Sequence, residues 1–169
     1  MDEIAALLEP HIPALRRYAW ALLRDADAAD DLVQDCLERA VARWRLRRRD
    51  GNLRAWLFTI QRNLFVSSLR RRARRGTDVD LDMLAAVPST AASQDSEMMT
   101  HDVLAELDAL PEEQRSVLLF VAVEDFSYEE TARVLGVPLG TVMSRLSRAR
   151  EKMRRRLDPA RGAVLRSVK

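Results

Sequence analysis

The sequence predicts an all-α fold of two small helical domains joined by a flexible acidic linker. Apolar residues make up 47% of the 169-residue chain, whereas only 5% are aromatic and only five residues are glycine. Runs of Ala, Leu, Arg and Glu favour helices, and no stretch has the alternating pattern of a β-strand. Residues 76–100 contain Gly, Pro, Ser, Thr and acids without apolar periodicity. We therefore place the linker there and the domains at residues 1–75 and 101–169.

Charge is segregated along the chain, although the formal net charge is only +2. Residues 1–39 hold nine acids and four bases, and residues 40–75 hold twelve arginines and one acid. Residues 76–114 hold ten acids and no Lys or Arg, and residues 140–157 hold seven bases and one acid. Because partners respond to local fields, this pattern predicts two separate contacts with a polyanion.

Three helical stretches are predicted in the first domain. Pro10 and Pro13 interrupt the first, which continues as an apolar stripe to an end near Leu23. The segment DADAADDLVQDCLERAVARWRLRRR has apolar residues at a 3.6-residue period, with acids at its start and arginines at its end. These charges match the helix dipole, so capping and solubility are a sufficient explanation beside a binding surface. A DGN turn follows, and we expect Asn52 to cap the third helix.

The third helix combines an apolar face with a basic end. Its predicted buried face consists of Leu53, Trp56, Leu57, Ile60 and Leu64. Five arginines within residues 70–75 end the helix, and two interpretations of them stay open. They fit a solvated charge run, and beside Trp56, Phe58 and Phe65 they also fit a surface that binds a nucleic-acid strand through cations and rings.

The second domain begins with Val103, Leu104, Leu107 and Leu110. Pro111 then suits the first turn of a new helix, in which acids follow at the positive end. The expected core side of that helix is Val117, Leu118, Phe120 and Val121.

The stretch SYEETARVLGVPLGTVMSRLSRAREKMRRRL, residues 127–157, has the pattern of a helix-turn-helix. Ser127 and Glu130 form a capping box, and Tyr128, Ala132 and Leu135 are expected to point inward. Gly136 suits a left-handed helix end, and Pro138 favours the start of the next helix.

The second helix of this pair is predicted to face DNA. Its inward residues are Val142, Leu146, Ala149 and Met153. The residues left to contact bases or phosphates are Thr141, Ser144, Arg145, Ser147, Arg148 and Lys152. Residues 154–156 lie too far along to enter the groove with the helix start, so we expect them to contact phosphates. A helix hairpin that does not bind DNA is the alternative.

Neither a catalytic group nor a cofactor or metal site is predicted. One Cys and two His cannot build a disulfide framework or a zinc cluster. Cys36 lies among apolar helix positions and fits a buried small side chain, and His11 and His101 lie far apart without companions at ligand spacing. The chain has no signal-peptide pattern and no apolar run of the ~18 residues that a membrane span needs, so we expect a cytoplasmic protein.

Four segments occur in an order and spacing that resemble those of bacterial extracytoplasmic-function sigma factors, the minimal group of the sigma-70 family. They are DDLVQDCLERAV, NLRAWLFTIQRN, LPEEQRSVLLF and FSYEETARVLGVPLGTVMSRLSRAR. The resemblance implies sigma region 2 in the first domain and sigma region 4 in the second. It implies a promoter-specificity subunit of RNA polymerase that catalyses no reaction itself. Family members are commonly held inactive by an anti-sigma factor, so one is an expected partner.

The resemblance also implies roles for individual positions. Expected at the clamp helices of core polymerase are Asp31, Leu32, Gln34 and Asp35, and the polymerase flap is a further expected contact. Expected at the downstream promoter element are Trp56 and Asn63, with Asn63 where the family helps to hold a flipped base. Expected to follow that DNA are Arg70, Arg71, Arg72 and Arg74. The DNA-facing residues of the last helix are expected to read the upstream element.

Three positions depart from the family pattern. Leu37 stands where Phe is usual, Val41 where an aromatic residue is common, and Met143 where Lys or Arg is frequent. The change at Met143 removes a polar contact and puts the promoter sequence in question. The segment NLRAWLFTIQRN most resembles sigma factors of the alphaproteobacterial general-stress type.

Two other functions stay open from the sequence. A stand-alone repressor or activator would use the same helix pair and bind an operator tightly as a symmetric dimer without polymerase. A partner-binding adaptor would only display charge and would tolerate the loss of Arg145 and Arg148.

Overall fold

A computed structural model describes residues 2–48, 51–75 and 102–157. Every regular element in these ranges is helical, and the chain divides into two compact units, Met1–Val87 and Pro88–Lys169. The predicted all-α, two-domain fold is thereby confirmed. The predicted linker, residues 76–100, and His101 lie outside the described residues, so the proposed domain limits stay predictions.

In the first unit, the helices follow one another with short connections. They are α1 (Asp2–Leu8), α2 (Ile12–Leu23), α3 (Ala26–Ala42) and α4 (Leu53–Arg74), with 3₁₀ turns at Glu9–His11 and Trp44–Leu46. The break between α1 and α2 contains Pro10, and α2 ends at Leu23, as predicted. Pro13 lies in the first turn of α2 and does not interrupt a helix, because the amide that proline lacks has no helical partner there.

Side chains cap the two longest helices of this unit. The Asp25 carboxylate accepts a hydrogen bond from the Ala28 amide at 2.7 Å, at the start of α3. The Asn52 side chain accepts one from the Ala55 amide at 3.1 Å, at the start of α4. The predicted role of Asn52 is confirmed, because its oxygen satisfies an amide that has no partner within the helix.

The core of the first unit lies where α2, α3 and α4 pack together. The rings of Tyr18 and Phe58 are both buried and lie 5.5 Å apart. The Cys36 thiol is buried between helices and donates to the Leu57 carbonyl at 3.4 Å. Loss of hydration raises the pKa of Cys36 to about 12, so the thiol stays neutral and serves as a packing group.

A buried polar residue joins α4 to α2. Gln61 is fully buried, and its Nε2 donates to the Leu15 carbonyl at 2.9 Å. Its Oε1 is buried without a hydrogen-bond partner among the described residues. A buried amide group without a hydrogen-bond partner destabilises the fold, so this bond fixes the rotation of α4 about its axis.

The buried face of α4 differs from the prediction. The helix buries Leu57, Phe58, Ile60, Gln61 and Phe65. The predicted residues Leu53, Trp56 and Leu64 are only half-buried. Of the two interpretations left open for this helix, the strand-binding one therefore loses the rings of Phe58 and Phe65, which are buried. Because α4 packs against both α2 and α3, its buried face is wider than one stripe and takes in these rings.

The second unit contains a helix-turn-helix. Its helices are α5 (residues 102–108), α6 (Glu112–Ala122), α7 (Tyr128–Leu135) and α8 (Leu139–Leu157). Helices α6 and α7 both pack against α8. The predicted inward residues Val142, Leu146 and Ala149 of α8 are buried, and Met153 is half-buried.

The signals that start and end α7 are present as predicted. The Ser127 hydroxyl accepts from the Glu130 amide at 3.1 Å, and the Glu130 carboxylate accepts from the Ser127 amide at 2.9 Å. Gly136 ends the helix with φ of 64°, in the left-handed region. These contacts set the turn that leads into α8.

Two predicted faces in this unit are partly wrong. In α6, Leu119 is buried with Val117 and Phe120, whereas Leu118 and Val121 are half-buried. In α7, the buried residues are Thr131, Val134 and Leu135, whereas Tyr128 and Ala132 are half-buried. The sequence pattern of a short amphipathic helix does not define the centre of its buried face, because neighbouring apolar residues fit that position equally well.

We expect Gly136→Ala to lower the free energy of unfolding of the second domain by about 1 kcal/mol, because an L-residue is strained in the left-handed region. An added Cβ at Gly136 would meet no atom within 4 Å, so backbone strain is the only contribution. Gly140→Ala is the matched control. An added Cβ at Gly140, within α8, is also unobstructed, and alanine favours helix, so this variant should gain stability. Equal effects of the two changes in thermal unfolding would contradict the assignment.

Candidate nucleic-acid interface

Three of the predicted downstream residues, Trp56, Asn63 and Arg70, lie along one edge of α4, and the other arginines surround the end of the helix. Trp56 is half-buried and Asn63 is exposed, and their spacing of seven residues puts them on the same side, about 10 Å apart along the axis. Between them, the Thr59 hydroxyl donates back to the Ala55 carbonyl at 2.8 Å. The arginines of residues 70–75 are all exposed. The structure thus brings a ring, an amide and a basic run onto one helix.

A second aromatic ring supports Trp56, and the sequence reasoning assigned it no role at the interface. The rings of Trp44 and Trp56 pack edge to face with centroids 6.2 Å apart. The Arg47 guanidinium lies 4.8 Å from the centre of the Trp44 ring and donates to the Arg48 carbonyl at 3.2 Å. Leu46, in the same turn, is 82% exposed. A tryptophan and arginines directly before a DGN turn were the available sequence signal.

The predicted polymerase-binding residues divide into two groups on α3. Asp31, Gln34 and Asp35 are exposed, whereas Leu32 is only 7% exposed and packs in the core. Gln34 donates to the Glu38 carboxylate at 3.0 Å. Three of the four residues can therefore contact a partner directly, and Leu32 holds the helix from beneath.

On α8, most of the predicted DNA-contacting residues are accessible. Ser144, Ser147, Arg148 and Lys152 are exposed, and Thr141 is half-buried. The Ser144 hydroxyl donates to the Thr141 carbonyl at 3.1 Å. This helix presents hydroxyls and cations, the groups that bind base edges and phosphates in a major groove.

Carboxylates already bind several cations of α8. Arg145 is 20% exposed, and its guanidinium lies 3.3 Å from the Glu113 carboxylate of α6. Arg156 lies 2.8 Å from Glu106 of α5, and Arg155 pairs with Glu151 within α8. None of the ion pairs within the described ranges involves Arg148, Arg150, Lys152 or Arg154. Those four are the cations of α8 that need no exchange of partner before binding phosphate.

The described ranges contain no group of three or more His, Cys, Asp or Glu residues placed to hold a metal ion. Within the same ranges, no helix has both the length and the apolar character needed to cross a membrane.

Two family models match the chain, one in each unit. They are the Sigma2 domain of PhyR, over residues 8–61, and sigma-70 region 4, over residues 100–153. The ECF RNA polymerase sigma factor EcfG of Rhodopseudomonas palustris is 42% identical over 142 residues, which are 84% of this chain and 78% of that relative. The chain belongs to the ECF sigma factors.

A solved structure supports the assignment over most of the chain. The sigma factor RpoE from Bartonella quintana, in complex with the anti-sigma factor NepR, superposes with a TM-score of 0.79 at 36% identity, covering 93% of this chain and 98% of that one. CnrH, in complex with the cytosolic domain of CnrY, has a TM-score of 0.66 at 24% identity, covers 98% of this chain and 89% of its own, and shares the fold.

Family membership settles the class of function. As an ECF sigma factor, the protein binds core RNA polymerase and directs promoter-specific initiation of transcription, and it is not an enzyme. The stand-alone regulator and the adaptor, both open from the sequence, are set aside. The roles of individual residues stay predictions.

We expect Glu113→Gln to tighten promoter binding by the holoenzyme about two- to fivefold, because the change removes an acid beside the DNA-facing helix and releases Arg145. The slope of log affinity against log salt should steepen by about one, as one more phosphate is neutralised. Filter binding over a salt series measures both values. Glu3→Gln, an exposed acid of the other unit, is the control for net charge. If the two variants behave alike, Arg145 gains no DNA contact when Glu113 is neutralised.

Proposed function

We propose that this protein is an alternative sigma factor with a division of labour between its domains. The first, residues 1–75, binds the polymerase clamp helices through exposed residues of α3 and opens the downstream promoter element along α4. The second, residues 101–169, reads the upstream element with α8 and contacts the polymerase flap. The protein acts in the cytoplasm as part of a stress or envelope response, under an anti-sigma factor.

The placement of Trp56 and Asn63 on one edge of α4, which leads to the arginines at its end, carries this proposal. Extruding a base from a duplex costs a few kcal/mol, and stacking on an aromatic side chain returns about 1–3 kcal/mol per base. An exposed amide offers two donors and an acceptor to the edge of such a base. The basic run beyond Asn63 is long enough to follow the backbone of the same strand.

The proposed linker fits the distance between promoter elements. Elements about 25 base pairs apart lie roughly 85 Å apart at 3.4 Å per pair. Residues 76–100 reach roughly 80 Å when extended at ~3.3 Å per residue, before the widths of the two domains are added. The chain is thus long enough for both domains to bind one promoter at once.

We further propose that the antagonist is an anti-sigma factor of the NepR type. The Bartonella RpoE that matches this chain at 36% identity was solved with NepR. The family model for the first domain is that of PhyR, and PhyR is itself described as an anti-anti-sigma factor in complex with NepR. This proposal agrees with the segment NLRAWLFTIQRN, which resembles the general-stress type, and with the 42% sequence identity to EcfG.

We expect core polymerase with this protein to initiate transcription from a promoter that core polymerase alone does not use. We expect Asn63→Ala to impair promoter opening by about tenfold or more. Losing hydrogen bonds to a flipped base should have that effect without weakening initial binding equally. Transcript yield, permanganate reactivity of unpaired thymines and filter binding measure the three steps. Ser67→Ala, an exposed change on the same helix, is the control. Failure to bind core would refute the function, and equal loss of binding and opening would refute the role of Asn63.

We expect a NepR-type anti-sigma factor encoded in the same genome to suppress these transcripts in proportion to its concentration. The physical reason is competition, because a protein that covers the exposed face of a sigma domain removes it from the pool that binds core polymerase. Adding core polymerase in excess should restore transcription. Unchanged transcript at anti-sigma concentrations well above that of the sigma factor would exclude this class of antagonist.

A further inference from the structure

Two apolar side chains are exposed at the start of α8. Leu139 is 41% exposed and Met143 is 53% exposed, although the next residue toward the core, Val142, is fully buried. Leu139 and Met143 are four residues apart, so they lie one above the other on a single edge of the helix. The first two turns of a recognition helix are the part that approaches base edges most closely.

Two polar residues directly after Met143 already have partners within the chain. The Ser144 hydroxyl donates to the Thr141 carbonyl, and the Arg145 guanidinium pairs with Glu113. Met143 has no donor or cation to satisfy and projects into solvent beside them. At the start of α8, the apolar edge is therefore the group that gains most from being covered.

Charge on the same edge favours nucleic acid as the covering partner. Counting from Met143, Arg150 and Arg154 follow at seven and eleven residues, so they continue the same side of the helix toward its end. Both are exposed, and neither pairs with an acid among the described residues. A protein that covered Met143 would also have to neutralise these arginines, whereas DNA phosphates do so while a groove covers the helix start.

We infer that Met143, with Leu139 beside it, recognises the methyl groups of thymines in the major groove of the upstream element. This inference rests on the proposed reading of that element by α8. Thymine is the base that presents a methyl group in the major groove, and apolar contact recognises it. The unbranched thioether of Met143 adapts to the position of such a group. Met143 is thus a specificity-determining residue of this sigma factor.

The test compares thymine with deoxyuridine, which keeps every base-pairing group and lacks only the methyl. Upstream elements are first selected by the holoenzyme from a random library, and each selected thymine is then replaced in turn. The wild-type holoenzyme should bind about fourfold more weakly at one or two deoxyuridine positions, the effect of one methyl group withdrawn from an apolar contact. With Met143→Ala, affinity for the thymine element should fall and the thymine-to-deoxyuridine ratio at those positions should approach one.

Val123→Ala is the control, because Val123 is an exposed apolar residue of the same domain outside α8. It should keep both the affinity and the wild-type ratio. An equal ratio for wild type and Met143→Ala at every position would overturn the inference. So would a Met143→Ala variant that selects the same element but binds an anti-sigma factor more weakly, which would make the edge a protein-docking surface. If the wild-type holoenzyme selects no upstream-element sequence at all, the proposed reading of that element by α8 is refuted instead.

Discussion

Both domains of this sigma factor must stabilise a helix whose positive charges repel one another. Helices α4 and α8 each end in a run of arginines, and like charges three or four residues apart destabilise a helix. The earlier turns of these helices compensate by packing. Phe58 and Gln61 hold α4 against its neighbours, and Leu146 holds α8. The charged helix ends are therefore held in place by the packing of the turns that precede them.

Acidic side chains on neighbouring helices moderate that repulsion. Glu113 and Glu106 lie against arginines of α8 from two different helices, so the second domain is partly neutralised before it meets DNA. Phosphates must displace these carboxylates, and exchanging one charged partner for another returns little net energy. Weak intrinsic attraction of this kind suits a subunit that selects promoters as part of a polymerase, because strong binding to every DNA sequence would delay assembly and search.

Signals confined to a few neighbouring residues could be predicted from the sequence, and signals that depend on packing could not. The capping box at Ser127 and the left-handed Gly136 require only local geometry, and both are present. The buried face of α4 depends on two other helices, so its apolar period alone did not show that Phe58 lies inside. The pairing of Arg145 with Glu113 joins residues 32 positions apart, and no spacing rule along one helix points to it. The sequence also identified Trp56 but not its contact with Trp44, because the turn between their helices sets that contact.

At the start of α8, contacts within the protein decide which side chains are available to recognise DNA bases. A hydroxyl or guanidinium that already has a partner must give up one hydrogen bond to form another, so Ser144 and Arg145 contribute less discrimination than their chemistry suggests. An exposed apolar group needs no such exchange, because covering it only releases water. Exposed cations such as Arg148 and Lys152 can bind phosphates without such an exchange, and a phosphate contact positions the helix but carries no sequence information. We infer that discrimination at the upstream element therefore shifts toward Met143, an exposed apolar residue near the start of α8.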